Sequence, residues 1–136
     1  ILIKEAQPST KEVALDNAAN GAKVGRLNKK VVKTLFKVVI EDTEYEISCL
    51  MGYIKFLKDE IKRLETIQDY ENKMYNSKTE KKKKYYEEGM KLLFSEGENF
   101  DNYPNVLSEY KEALENRNGI INSLFDEIKI IKKLKV

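Results

Sequence analysis

Lys81 to Lys84, with Lys78 just before and Tyr85 and Tyr86 just after, form the densest group of chemically suggestive side chains in the chain. Clustered ammonium groups beside aromatic rings attract phosphate, an anionic membrane or an acidic partner, with the tyrosines stacking or anchoring. Glu80, Glu87 and Glu88 dilute the patch. A helix N-terminus also repels gathered cations, so a solvated first turn is the competing account. Phe100 and Tyr103 form a second group, in the Gly/Asn/Asp-rich connector Gly97 to Pro104. Aromatics in a polar loop are either pinned onto the end of a helical bundle or displayed to a partner.

Catalytic chemistry finds little to use. The chain has no histidine, which removes Ser-His-Asp and Cys-His nucleophiles, His-ligated metals and the Glu-x-x-His elements of ferritin-type di-metal sites. Neither a GxxxxGK[ST] phosphate loop nor a GxGxxG turn occurs. Paired acids such as Glu41-Asp42, Glu87-Glu88 and Asp126-Glu127 are sequence neighbours, so on a helix they point to different parts of the surface and read as solvated charge. Cys49 is the single cysteine and can form neither an internal disulfide nor a cysteine-based zinc site. The expectation is a protein that is not an enzyme and needs no metal or cofactor.

Charged residues make up 35% of the 136 and apolar residues 41%, with two prolines and six glycines. That is the composition of a helical bundle or coiled coil, in one domain. A net charge of +2 argues against nucleic acid, whose binders carry a clear basic excess. Lysine and asparagine are abundant and arginine is scarce, which suggests an AT-rich genome such as that of a parasite or a low-GC bacterium. No apolar run approaches the roughly 20 residues that span a bilayer. The chain opens with Ile1 rather than Met; a processed form with a removed signal peptide would account for this and leans toward a secreted or surface location, the cytoplasm being the alternative.

The elements that would position these groups are helices. From Leu27 to Tyr75, Ile40, Ile47, Ile54 and Ile61 stand seven apart, with Phe36, Thr43, Leu50, Leu57 and Leu64 as a second series. This is an a/d seam along one helix, roughly 70 Å long at 1.5 Å per residue. Asn28 is placed to cap it, and Gly52 stays in phase as a tolerated or close-packed glycine. Val31, Val32, Leu35, Val38 and Val39 add a second apolar side, which predicts a bundle around the first half and a narrower pair around the second. Residues 1–26 read as an arm from Ile1 to Gln7 followed by a short helix. Ser9 and Glu12 form its capping box, and Asn20-Gly21 is its stop.

Asn76 to Thr79 predicts a hairpin, with Ser77 or Thr79 capping a short helix over 79–95. A last helix follows over 104–135, with Pro104 in its first turn. Its seam is Leu107, Leu114, Ile121 and Ile128, with Tyr110, Leu124 and Ile131 in the second position. Arg117 interrupts that second series, either snorkelling to solvent or pairing with a carboxylate. The phase runs through Asn118-Gly119, so the helix is expected to continue there, a kink being the alternative. The sum is an all-α, elongated antiparallel bundle of three main helices plus a short N-terminal one, with coiled-coil-like packing. A homodimer in which the long helices pair through the Ile/Leu seam is the rival architecture.

Val31-Val32-Lys33-Thr34-Leu35, at the head of a long helix in a three-helix bundle, resembles the tubulin-binding cofactor A family. That resemblance implies a cytosolic chaperone or assembly cofactor. The residues themselves point first to a helical protein-interaction module, and next to a binder of anionic surfaces through Lys78 to Lys84.

Overall fold

A computed structural model describes residues 10–134. The expected N-terminal arm, the Ser9 half of the capping box and the end of the last helix at 135 lie outside the described residues. The described chain is all-α: α1 (Thr10–Lys23), α2 (Lys29–Asn76), α3 (Glu80–Leu93) and α4 (Tyr103–Lys133). Among the described residues there is no strand, and no helix is long and apolar enough to cross a membrane. The chain divides into two compact units, one holding residues 1–50 and 119–136, the other residues 51–118.

In the first unit, α1 lays Leu15, Ala19 and Ala22 against Val32 and Phe36 of α2 and Ile131 of α4. Small residues on α1 make this a core of limited volume. Thr43 stands in the hydrophobic seam yet is fully buried, and its bonds explain how. Its hydroxyl donates to the Val39 carbonyl at 2.8 Å and accepts from Lys11 Nζ at 3.2 Å. Lys11 also pairs with Glu127 of α4 at 3.4 Å. A hydroxyl satisfied twice costs little to bury.

The expected stop of α1 at Asn20-Gly21 is not where the helix ends. Gly21 remains helical, and a Cβ there would come within 2.7 Å of Leu27 Cδ1, so this glycine permits close packing. The residue that turns the chain is Gly25, at φ 77°. The Arg26 and Leu27 N–H groups then both donate to the Gly21 carbonyl, at 2.9 and 3.0 Å, closing the helix as a left-handed glycine cap does. Asn28 caps α2 as expected, accepting from the N–H groups of Lys30 (2.9 Å) and Val31 (3.3 Å).

In the second unit, Ile61, Leu64 and Ile67 of α2, Met90 of α3 and Tyr103 and Leu107 of α4 form the core, edged by Tyr70, Leu93, Phe94 and Phe100. The narrower pair expected around this half of α2 is therefore corrected: α3 supplies a third helix, through Met90 and Leu93. α2 and α4 run antiparallel here. Lys111 reaches Glu65 and Arg117 lies over Tyr53 with 5.5 Å from guanidinium carbon to ring centroid. Among the described residues no carboxylate pairs with Arg117, and its guanidinium lies over an aromatic face at the half-buried edge of the seam. α4 continues through Asn118-Gly119 without a break.

Gly52 has open space around it rather than a close neighbour. α3 begins after Thr79, whose side chain accepts from the Lys82 N–H, and it ends at Leu93, two residues before the expected Ser95, because Phe94 is extended.

Candidate functional site

α3 is short and faces two ways. Tyr86, Met90 and Leu93 turn toward α2 and the core, whereas Lys81, Lys84, Tyr85, Glu88 and Leu92 recur at three- and four-residue spacing along the other side. The sides part sharply in exposure: Met90 is fully buried, Leu92 is 87% exposed and Tyr85 68%. An isolated exposed leucine is ordinary, but here an exposed leucine and tyrosine two turns apart share one line.

That line borders an open groove of about 580 Å³, lined by Tyr70 of α2 and by Lys81, Lys84, Tyr85, Glu88, Gly89, Leu92 and Leu93 of α3. Gly89 brings the two helices together, since a Cβ there would lie 2.9 Å from Tyr70 Cε2. Tyr70 packs on Tyr86 with ring centroids 5.7 Å apart, and Tyr86 on Tyr85 edge-on at 5.3 Å. Through this chain of rings Tyr85 is held at the groove by the core aromatics. Lys83 pairs with Glu80 at 3.6 Å, and Lys91 with Glu87 and Glu88 at the same distance. Among the described residues Lys81, Lys82 and Lys84 have no ion pair.

Lys82 and Tyr86 face a second, more polar groove of about 560 Å³ at the α2–α3 hairpin, with Lys73, Asn76 and Lys78. Lys73 is held by Asp69 at 3.0 Å, and that hydrogen bond raises its affinity for its proton. So the sequence cluster is divided by the helix: Lys81, Lys84 and Tyr85 belong to one groove, Lys82 and Tyr86 to the other.

The loop aromatics belong to the core. Tyr103 is 2% exposed; Phe94 meets Phe100 edge-on at 5.2 Å and Tyr103 at 6.0 Å. Of the two expected alternatives, the pinned one holds for both residues, and neither lines the α3 groove. Burial pushes the Tyr103 hydroxyl up to about 12, and its hydrogen bond to the Glu71 carboxylate adds to this. Asparagines fix the loop. Asn99 Oδ1 accepts from the Asp101 and Asn102 N–H groups, and Asn102 Oδ1 accepts from the Asn99 N–H while its Nδ2 donates to the Gly97 carbonyl.

One constellation was absent from the sequence reading. Arg63 donates from Nη1 to Glu98 Oε1 at 2.6 Å and from Nη2 to Glu98 Oε2 at 2.9 Å, and also to Glu60 and the Leu93 carbonyl. The bond to Glu98 raises the guanidinium's already high proton affinity, and Arg63 in turn holds the Glu98 carboxyl below its usual range against the opposing effect of burial. This fork-on-carboxylate pair ties α2 to the end of α3 and to the loop. The only sequence signal for it is that arginine, rare in this lysine-rich chain, stands beside the seam position Leu64. Leu92 stands two residues from Met90, and helical phase sets it on the opposite side of α3.

Among the described residues no group of His, Cys, Asp and Glu is arranged to hold a metal ion. No family model, curated protein or solved structure matches this chain.

Proposed function

We propose that this protein is a non-catalytic helical interaction module and that the outer face of α3 docks an acidic, amphipathic segment of a partner protein. The reading is carried by one observation: Tyr85 and Leu92 stand exposed along a groove whose rim holds Lys81 and Lys84, which have no ion pair among the described residues. An amphipathic helix laid in such a groove buries its leucines on Tyr85 and Leu92 while its flanking carboxylates meet the lysines. Apolar burial supplies affinity, and the charges supply orientation and association rate.

The test uses a fluorescent helical peptide with leucines at i, i+3/i+4 and i+7 and glutamates beside them, titrated with the protein by anisotropy. A scrambled peptide of the same composition and phosphatidylserine-containing vesicles serve as controls. The expected result is saturable binding of the amphipathic peptide alone, weakened roughly tenfold or more by Leu92→Gln and by Lys81→Glu with Lys84→Glu, an exposed leucine contact being worth about 1–2 kcal/mol. Equal binding of the scrambled peptide, or indifference to Leu92→Gln, overturns the proposal. Salt-sensitive vesicle binding lost on replacing Lys81 to Lys84 with Gln assigns the lysines to an anionic surface instead.

A further inference from the structure

The first half of α2 carries two apolar stripes, and the chain covers one. Val32, Phe36, Thr43 and Ile47 are buried in the first unit. Val31, Leu35, Val38 and Tyr45 also follow a four-three heptad spacing, which Asp42 and Cys49 complete, but this line turns roughly 140° away from the buried one at 100° per residue. It is exposed throughout: Val31 is 65% and Tyr45 73% accessible, and Cys49 is exposed. A shallow groove of about 490 Å³ opens on it at Val31, Thr34 and Leu35.

Charge along the same helix is divided into blocks. Residues 29–37 contain Lys29, Lys30, Lys33 and Lys37 and no acid; residues 41–54 contain Glu41, Asp42, Glu44 and Glu46 and no base. Helical phase puts Lys30, Lys37, Glu41 and Glu44 along one edge of the exposed stripe. A stripe with a basic half and an acidic half is complementary to its own reverse.

From this we infer that the stripe is a self-association surface, on which a second copy of the chain lies antiparallel with the crossing centred near Val38. In that arrangement Val38 meets Val38 across the two-fold axis, Val31 meets Tyr45, and Lys30 and Lys37 of each copy face Glu44 and Glu41 of the other. Each helix then satisfies both charge blocks of its neighbour. Parallel pairing would set lysines on lysines and acids on acids, which the spacing penalises. Asp42, which this register sets opposite Thr34 and beside Leu35, limits adhesion. The stripe spans about 27 Å of helix from Val31 to Cys49. The contact is therefore small beside the roughly 800 Å² per partner of a standard interface, and the dimer is weak and reversible. The surface is independent of the α3 groove. It also differs from pairing through the Ile/Leu seam, which the chain's own helices cover.

Sedimentation velocity of the full chain from about 10 µM to 1 mM tests this, that range bracketing weak association. The expected result is a monomer–dimer equilibrium. Lys30 and Lys37→Glu should weaken it tenfold or more, and adding Glu41 and Glu44→Lys should restore it. Oxidative cross-linking reads orientation: Val38→Cys in a Cys49→Ser background should give a covalent dimer. Native Cys49 should not, because two antiparallel copies hold it about 33 Å apart along the axis. A monomer at every concentration overturns the inference and leaves the stripe to another occupant, whether residues 1–9 or a foreign chain. Ready Cys49 cross-linking means parallel pairing and overturns it too, as does a charge-swapped variant that stays monomeric while circular dichroism shows it folded.

Discussion

At the scale of single residues the second unit is fastened by groups that titrate, so pH reports on it. Glu98 has a carboxyl held below its ordinary 4.5 by the hydrogen bonds from Arg63. Its stabilising contribution is therefore complete above that value and is lost as pH falls through the lowered folded one. Tyr103 works in the opposite direction. With its hydroxyl raised from 10.0 to about 12 by burial and by Glu71, its contribution is intact below 10 and disappears as pH climbs to about 12. Glu98→Gln should lower stability by about 1–3 kcal/mol at pH 7, because Arg63 keeps its place and Glu60 but loses the carboxylate that its fork grips. In urea titrations the difference from wild type should shrink as pH falls below 4.5 and through the lowered folded value. A difference that stays constant with pH would mean that Glu98 acts through its packing and not its charge. Neither pair was legible beforehand. Arg63 and Glu98 are 35 residues apart, and only a hairpin plus a turn brings them together.

At the scale of elements, glycines separate what local pattern decides from what packing decides. Gly52 and Gly119 stand in helix interiors with nothing near a prospective Cβ, whereas Gly89 faces the Tyr70 ring at 2.9 Å. Gly52→Ala and Gly119→Ala should each raise stability by about 0.5–1 kcal/mol and the melting temperature by a few degrees. At position 89 the same propensity gain is set against displacement of an aromatic ring, so Gly89→Ala should be neutral or destabilising and should alter tyrosine fluorescence. Equal gains at all three positions would show that Tyr70 yields freely. The four helices, the Asn28 cap, the hairpin at 76–79 and the passage of α4 through Gly119 could be read from heptad phase and cap residues, which are local signals. The true end of α1 could not, because both Gly21 and Gly25 suit a stop and only the approach of Leu27 assigns the first to packing. The lysine cluster was visible as composition, but which lysines share a groove with Leu92 depends on the rotational setting of α3 against Tyr70.

At the scale of the whole molecule, the two units differ in what holds them. In the first, α1 contributes only Leu15 and two alanines against Val32, Phe36 and Ile131, while Ile47, Ile121 and Ile128 are buried beyond it and Lys11 reaches one polar layer at Thr43 from the surface. The second buries larger side chains from three helices and adds the Arg63–Glu98 fork. Each fully buried leucine- or isoleucine-sized side chain is worth about 1.5–3 kcal/mol, and an alanine far less. Stability should therefore be uneven, with α1 the element of lowest local free energy. Native-state hydrogen exchange followed by mass spectrometry or NMR checks this. Amides of residues 13–23 should exchange through an opening that costs less than the one protecting residues 61–70, and they should lose protection at lower urea. Ala19→Gly and Ala22→Gly should widen the gap, because they weaken α1 without touching the second core. If α1 and residues 61–70 share one exchange free energy and one urea dependence, the helices that pass through both units bind them into a single cooperative transition. The thin apolar face of α1 would then carry no separate vulnerability.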